Sequence, residues 1–455
     1  MKGWLRPLLC VLALSGFNPH SLWAAKPAPE ITSFLSAKRA YVERVAKDLD
    51  AKLPPEVARL FDTAAHGNWH SVSNLYESLD AKYGPNVAES PIPRELWYVL
   101  QEVPFEILGV WDPKYTRQFA DEIFKVVPTN AVYFGGTDAG RNIITAFSTS
   151  HEQGQPFFTL TQNQLVATGY LQYIRRIYGG KLKLPADNDS TQAFQDYLAG
   201  AQRRLEHDRK FPNEPKQLKR GEELKIIDNR VQISGQIAVM AVNALLARKI
   251  FDLNPDREFY LEESLSLDWT YPHLIPAGPV FKINRTKIES LSAEVIAKDR
   301  AYWDARMKTT LGRPVTDETS LADVCAFVDK IYRERVLDDF EGDRTYLTQP
   351  DVQKSTAKLR GSIAGVYAWR ANEDRGAPER RRMLKEAEVA FMQAYSLGPA
   401  NSEVVTRVTS FFIEDNRKED ALRFIRAAAK LNPNDKHTAD LLSGVEAWDQ
   451  NKSGD

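Results

Sequence analysis

The residues best suited to chemistry in this sequence follow a short apolar run at 131–134. They form a glycine-rich turn, Gly-Gly-Thr-Asp-Ala-Gly-Arg, at 135–141. Such a turn exposes backbone N–H groups that bind phosphate, and Asp138 offers a carboxylate for a metal or a ribose. The candidate ligand-binding residues are Gly135, Gly136, Thr137, Gly140 and Arg141.

The turn departs from the known phosphate-binding motifs. It lacks the Gly-Lys-Ser/Thr ending of a P-loop, and it matches only part of the dinucleotide-binding fingerprint. The alternative, which these departures favour, is a tight turn after a strand in which Asp138 caps the next helix.

A second group of polar residues follows the apolar run at 258–261. Two adjacent carboxylates, Glu262 and Glu263, and a histidine would supply an acid and a base, and α/β proteins place sites at the ends of strands. Neighbouring strand residues point to opposite faces, however, so Glu262 and Glu263 do not serve one cleft without a bulge. Core packing of the aromatic run at 269–271 is therefore the favoured alternative. The weak catalytic candidates are Asp138, Glu263, Asp268 and His273.

Other catalytic and metal-binding patterns are missing from the sequence. The seven histidines form no His-Glu-x-x-His motif, and His66 and His70 are separated by a Gly-Asn turn at 67–68. No serine lies in a Gly-x-Ser-x-Gly motif. We therefore expect no metal site and no cofactor. The sequence does not decide whether the protein is an enzyme, but the missing motifs favour a protein without enzymatic activity.

Alternating strand and helix patterns at 121–288 predict a small α/β domain that would position both groups. Strands are predicted at 131–134, 157–160, 224–227, 258–261 and 280–283. The segment 231–251 is apolar on more than one helical face, which predicts a helix buried between layers. The polar stretch 207–223 is predicted to be a solvated excursion.

The segment 25–120 predicts a helical N-terminal region. Apolar residues recur at three- and four-residue intervals in 31–49, which is typical of an amphipathic helix. A helical hairpin is predicted around Gly67. This region would form a platform for the α/β domain.

Composition excludes several classes of protein. Of 455 residues, 43% are hydrophobic and 27% are charged, so the chain is neither a collagen nor a disordered polyelectrolyte. The 60 basic and 61 acidic residues leave a net charge of −1. No global field therefore favours nucleic acid as a partner.

The first residues have the three parts of a secretory signal. Two basic residues precede an apolar run at 8–17, and small residues at 24–25 predict cleavage after Ala24. The competing interpretation is a membrane anchor, but a spanning helix needs ~20 apolar residues. Without residues 1–24 the chain keeps one cysteine, Cys325, whose apolar helical spacing favours a buried small hydrophobe over a nucleophile. We expect a periplasmic or extracellular protein with no integral membrane segment after cleavage.

The C-terminal part of the chain repeats itself. Two linking helices are predicted in 289–345, and then Ala387, Ala394 and Pro399 recur 34 residues later at 421, 428 and 433. Helices are predicted at 358–370, 380–397, 402–414 and 418–431, with a capping helix through 448. The pattern resembles the tetratricopeptide repeat family over residues 355–450, although Asn416 stands near the usual glycine and about two repeats are visible. The domain assigned to the repeats is 346–450, followed by a disordered tail at 451–455.

The central region carries a second resemblance. Its segments 130–138, 157–163 and 258–283 are similar in order to the extramembrane part of bacterial membrane proteins related to protein O-mannosyltransferases. The resemblance covers roughly residues 120–285. Because the multi-span portion that holds the catalytic residues of such transferases has no counterpart in this sequence, the resemblance implies an accessory or recognition module.

These observations predict an α-rich α+β fold with a helical platform, a small α/β layer and a tetratricopeptide-like solenoid. The expected function is that of an exported protein-interaction or accessory module of the cell envelope, whose tail binds a protein or peptide. The alternative is a small-ligand or sugar-phosphate binding protein, or an enzyme related to glycosyl transfer, that uses the α/β domain. A purely structural envelope component is a third possibility.

Overall fold

A computed structural model describes residues 29–85, 87–103, 111–218, 222–227, 230–262, 267–373 and 376–452. For residues 223–227, 230–234, 236 and 448–452 it describes the backbone alone. The predicted signal at 1–24, Glu263 and the last three residues of the predicted tail lie outside these ranges.

The described part of the chain is 67% helical, which agrees with the α-rich fold class. Within the described ranges the α-helices are α1 Pro29–Asp48, α2 Pro55–Ala65, α3 Trp69–Tyr83, α4 Arg94–Leu100, α5 Pro113–Val126, α6 Ile144–Phe147, α7 Thr168–Tyr178, α8 Asp187–Lys210, α9 Gln236–Leu253, α10 Ala293–Leu311, α11 Leu321–Val328, α12 Pro350–Asn372, α13 Ala377–Leu397, α14 Ser402–Glu414, α15 Lys418–Leu431 and α16 Lys436–Lys452. Single π-helical turns stand at Ala139–Ile143 and Asp329–Arg333.

Short strands supply both parallel and antiparallel pairing. They are β1 Val132–Gly135, β2 Phe158–Thr161, β3 Glu223–Ile227, β4 Arg230–Ser234, β5 Phe259–Leu261, β6 Leu274–Ala277 and β7 Val280–Ile283. Strands β1 and β2 are parallel, with Val132 opposite Phe158. Strand β3 pairs antiparallel with β4, and β7 pairs antiparallel with both β5 and β6. The five predicted strands are present, and β4 and β6 are additional.

The chain divides into two compact units that interleave in sequence. The first contains the described residues of 1–113, 129–257 and 265–267, and the second those of 114–128, 258–264 and 268–455.

In the first unit, α1 packs against α2, α4 and α6, and α4 packs against α7. The predicted hairpin around Gly67 is confirmed: α2 and α3 pack together, Gly67 has φ +73°, and the Asn68 side chain accepts a hydrogen bond from Ser71 N. The left-handed conformation at Gly67 is one that glycine adopts without steric cost. Two adjacent residues, Gly67 and Asn68, therefore determine the conformation of this turn.

The prediction of a buried helix at 231–251 is wrong in two respects: the residue at which the helix begins, and the burial of all its faces. Strand β4 continues to Ser234, Gly235 turns the chain with φ +95°, and α9 begins only at Gln236. Val242, Leu246 and Ile250 are buried, but Leu245 is 42% exposed. One face of α9 is therefore exposed to solvent, while α8 and β4 pack against this helix.

The stretch predicted to be a solvated excursion at 207–223 is partly ordered by helix and by hydrogen bonds. Helix α8 continues to Lys210, and the carboxylate of Asp208 accepts hydrogen bonds from the backbone N–H groups of Gln217 and Leu218. The side chain of Asp208 thus closes the loop that follows the helix.

In the second unit, α12 and α13 form a long antiparallel pair, α14 packs on both, and α16 packs on α14 and α15. Helices α14 and α15 have the predicted bounds 402–414 and 418–431. Helix α10 packs on α13, and α11 packs on α13 and α15. A buried ion pair joins α12 to α10, with Arg360 2.7 Å from Asp299.

Candidate functional site

The glycine-rich turn lies at the carboxyl end of β1. The π-helical turn at 139–143 folds back over it, so a Cβ at Gly135 would lie 2.8 Å from the carbonyl oxygen of Gly140. Real Cβ atoms do not come this close to a backbone oxygen. Glycine at 135 is therefore required for the chain to close this turn.

Several groups of the turn bond to one another. Gly140 N donates to the Thr137 hydroxyl at 2.8 Å, and Arg141 N donates to the Thr137 carbonyl at 3.0 Å. Asp138 pairs with the Arg141 guanidinium and makes no side-chain cap. The expected capping role of Asp138 is wrong, because the hydroxyl of Thr137 caps the helical turn instead. Two of the N–H groups expected to bind phosphate thus have partners within the turn.

Two other sequence candidates lie in the second unit. His273 is 5% exposed, and its Nδ1 lies 2.9 Å from the carbonyl oxygen of Asn284. Asn284 N donates in turn to the His273 carbonyl at 2.8 Å. The imidazole therefore ties this segment to the end of β7. Asp268 begins a 3₁₀ turn, and Glu262 is buried.

The first unit contains a buried charged cluster that sequence reasoning missed. Lys38 on α1 is 1% exposed. Its Nζ donates to the Tyr173 hydroxyl at 2.7 Å and lies 2.7 Å from Glu102 Oε2 and 3.7 Å from Glu152 Oε1. We call Lys38, Glu102, Glu152 and Tyr173 the Lys38 cluster. An ammonium this deep in a protein requires such partners.

Burial sets the protonation chemistry of these groups. Burial raises the pKa of Glu102, and Lys38 partly offsets this rise. Burial, and then the charge of Lys38, hold the pKa of His151 well below its usual value. Burial also raises the pKa of Tyr173. The Lys38 cluster thus combines a lysine with a carboxyl group whose pKa is raised, and the neutral imidazole of His151 lies within the field of the lysine. Shifted groups of this kind are typical of functional sites and of structural ion networks.

Apart from Glu102 Oε2, which contacts Lys38 as an ion pair, two buried polar atoms in and beside the cluster lack hydrogen bonds. Within the described ranges, the buried Tyr41 hydroxyl and Glu152 Oε1 have no hydrogen-bond partner, since 3.7 Å from Glu152 to Lys38 is too long for one. The Tyr41 ring packs edge-on against Tyr173, with centroids 5.7 Å apart. Buried polar atoms in proteins are rarely left unpaired, so a bound polar molecule such as water would satisfy them.

One sequence signal for this cluster exists. Lys38 stands four residues after Phe34 and three before Tyr41, inside the apolar stripe of α1. A lysine in a core-facing position indicates a buried charge. Its carboxylate partners, Glu102 and Glu152, come from distant segments, so local spacing does not identify them.

The second unit presents a polar surface formed by α12, α14 and α16. Lys358 Nζ lies 3.2 Å from Glu403, Arg407 pairs with Glu403 at 2.8 Å, and the Thr406 hydroxyl lies 2.7 Å from His437 Nε2. We call these five residues the polar helix face. The polar helix face connects α12, α14 and α16, which are the first helices of successive helix pairs.

The 34-residue period appears in the helix caps. Asn401 accepts hydrogen bonds from N–H groups at the start of α14, and Asp435 does the same at the start of α16. The preceding helices end at Leu397 and Leu431. Both spacings are 34 residues. The repeat in sequence is thus a repeat of local structure.

Other chemistry has little support in the described part of the chain. No group of three or more histidine, cysteine, aspartate or glutamate residues there has the arrangement of a metal site. Cys325 is half-buried, and burial raises its pKa to about 11, which leaves the thiol protonated near neutral pH. None of the described helices has the length and apolar character needed to cross a membrane.

Comparisons with known proteins assign no relative. The sequence matches no protein-family profile, no curated protein and no solved structure.

Proposed function

We propose that this chain is an exported interaction or accessory protein of the cell envelope that binds a protein segment through its C-terminal helix pairs. The observation that supports this most is the 34-residue recurrence of Asn401 and Asp435 as helix caps. That period and the pairwise packing of α12–α16 are typical of tetratricopeptide arrays, whose stacked helix pairs bind extended or helical segments.

The packing within the second unit supports the choice of one surface for this binding. Helices α13 and α15 are covered by α10 and α11. The polar helix face lies on α12, α14 and α16, the other helix of each pair. Because the side chains of Lys358, Glu403 and Arg407 are partly exposed there, they offer charged hydrogen-bonding groups to a partner.

Site-specific crosslinking tests this proposal. Ser410 is half-buried and lies on the Glu403 and Arg407 side of α14. With a photoreactive benzoylphenylalanine at Ser410, we expect the protein expressed in its native envelope to form one dominant crosslinked product. The double variant Lys358→Glu and Arg407→Glu should reduce that product at least about tenfold, because it reverses two charges on the surface.

The matched control places the same photoreactive residue at Arg426 on α15, which is 61% exposed. We expect no dominant product from that position. Equal products from both positions, or a product at Ser410 unaffected by the charge reversals, would contradict the proposal.

Export is part of the proposal and rests on the leader pattern at 1–24. We expect the envelope form to begin at Ala25, which the intact mass of the purified protein measures. Replacing Lys2 and Arg6 by glutamate should cause the uncleaved chain to accumulate, because the basic region of the leader is removed. A full-length mass in the envelope fraction would contradict cleavage.

A second candidate function is small-ligand binding in the first unit. The observation that favours it is the unsatisfied hydroxyl of Tyr41 beside the Lys38 cluster. Thermal unfolding with glucose, glucose 6-phosphate or inorganic phosphate, each at about 10 mM, tests it, since a ligand of the folded state raises the melting temperature. The shift should vanish in Lys38→Met. No shift with any of the three compounds would count against this function.

A further inference from the structure

A tight turn follows the last residue of helix α8. Phe211 N donates to the His207 carbonyl at 2.8 Å, and Glu214 N donates to the Phe211 carbonyl at 3.1 Å. Residues 211–214 thus form a hydrogen-bonded turn, with Pro212 at the second position, which proline favours. We call residues 211–214 the α8 turn.

Two side chains of α8 fasten the loop that contains this turn. Asp208 accepts hydrogen bonds from the backbone N–H groups of Gln217 and Leu218 at 2.7 and 3.1 Å. The hydrogen bond from Gln217 is the main cause that lowers the pKa of the Asp208 carboxyl group, so this group is charged near neutral pH. The second contact is made by His207, whose Nε2 lies 3.2 Å from Glu214 Oε2.

The imidazole of His207 faces a carboxylate oxygen at each of its two nitrogens. Besides the contact of Nε2 with Glu214, Nδ1 lies 3.3 Å from Asp208 Oδ1. A neutral imidazole carries a hydrogen on one nitrogen only, so its other nitrogen would present a lone pair to a carboxylate. The imidazolium donates from both nitrogens and satisfies both contacts. His207 also stands in the last turn of α8, where the helix dipole favours a cation.

The other charged groups of α8 and its loop have different neighbours. Arg203, one turn before the imidazole, is exposed, and the guanidinium of Arg204 pairs with the buried carboxylate of Glu222. Lys210 Nζ lies 5.2 Å from the Phe211 ring centroid. The same ring packs against the imidazole, with centroids 5.1 Å apart.

Two elements pack against α8, and each adds one or more charged residues. Helix α9 brings Lys249 to within 3.4 Å of Asp189, at the opposite end of α8. Strand β4 has one charged residue, Arg230, at its first position. The closest charged partners that the structure gives for His207 are therefore Asp208 and Glu214.

We propose that His207 is a pH-sensitive latch, which holds the α8 turn against the helix when the imidazole is protonated and releases it when the imidazole is neutral. Histidine is the side chain that changes its charge between about pH 5 and 8. Since the held form needs the imidazolium, the turn is held at low pH and released as pH rises. The hydrogen bonds from Gln217 and Leu218 to Asp208 do not involve the ring, so release is confined to residues 211–214.

The latch is weak, because its side chains are partly exposed. His207 is 22% exposed and Glu214 is 55% exposed. Ion pairs between exposed side chains contribute little, which limits the change in the ratio of held to released turn to about two- to fivefold. The inference does not depend on the proposed interaction function.

The mobility of a spin label on the α8 turn tests this inference. A nitroxide is attached to Asn213→Cys, at an exposed position, in the mature chain that also carries Cys325→Ala. Electron paramagnetic resonance measures the ratio of immobilised to mobile label at about pH 5.5 and at about pH 8.5, on either side of the histidine range. We expect this ratio to fall about two- to fivefold from the lower to the higher pH.

Three variants separate the latch from a general effect of pH. His207→Arg keeps a cation at both pH values, so its label should stay immobilised at about pH 8.5. Glu214→Gln removes the carboxylate and should leave the label mobile at both. His66→Gln, on the exposed end of α2, should keep the dependence of the parent. A ratio that does not change with pH in the parent, or a dependence that persists in His207→Arg or in Glu214→Gln, would overturn the inference.

Discussion

The ammonium of Lys38 lies 2.7 Å from Oε2 of Glu102 in the interior of the first unit. Breaking a buried ion pair by removing one partner is costly, because the remaining charge loses its compensation. Glu152, at 3.7 Å, is the second carboxylate near the ammonium. The pair is therefore the most sensitive electrostatic contact of α1.

We predict that Glu102→Leu lowers the free energy of unfolding by about 3–5 kcal/mol. The double variant Lys38→Met and Glu102→Leu should recover most of that loss, since no uncompensated ammonium remains. Urea unfolding followed by circular dichroism measures both. Arg39→Met, at a partly exposed neighbouring position, should change stability by less than about 1 kcal/mol. If the double variant were no more stable than Glu102→Leu, the charge would not be the cause.

His151 should make the stability of the first unit depend on pH. Its pKa is lowered by burial in the folded protein, so below about pH 6.5 the unfolded chain binds a proton that the folded chain does not. Stability is therefore lost as pH falls below that value, by up to about 1.4 kcal/mol per pH unit. We expect His151→Gln to flatten this slope between pH 6.5 and 5.5, measured by urea unfolding.

The control for that slope is His66→Gln on the exposed end of α2, which should leave it unchanged. The carboxyl of Glu102 acts in the opposite direction, because its raised pKa favours the protonated folded state. Its effect begins above the usual carboxyl pKa and ends at the raised pKa of the folded protein. An unchanged slope in His151→Gln would show that other groups carry the dependence.

Gly135→Ala should destabilise the first unit by about 1–3 kcal/mol, because the added Cβ would overlap the backbone of Gly140. Gly444→Ala on α16 is the matched control. A Cβ there meets nothing within 4 Å, and alanine stabilises a helix by up to about 1 kcal/mol relative to glycine. The two variants should therefore shift the melting temperature in opposite directions. A neutral Gly135→Ala would mean that the turn relaxes without cost.

The two helix caps that recur 34 residues apart, Asn401 and Asp435, should contribute unequally to the free energy of unfolding. Asn401 also donates to the Lys354 carbonyl and is buried, so Asn401→Ala should cost more than Asp435→Ala, which should cost about 1 kcal/mol. Asn434→Ala, at an exposed neighbouring position, should be close to neutral. Urea unfolding of the three variants measures the order. Equal effects of all three would contradict the capping role.

Local patterns predicted much of the secondary structure. The bounds of α14 and α15 follow from apolar residues at helical spacing, and Pro399 and Pro433 follow the ends of α13 and α15. The hairpin at Gly67 follows from turn chemistry. Strand β4 was missed, because the short run 231–234 is compatible with both helix and strand, and antiparallel pairing with β3 decides between them.

The sequence by itself determined most of the helices, the 34-residue period and the position of the glycine turn, since each depends on residues close together in the chain. Only the tertiary structure decided the candidate sites. It brought Lys38, Glu102 and Glu152 together from three segments. Such contacts depend on packing between distant segments of the chain, and the spacing of residues within one segment does not predict them.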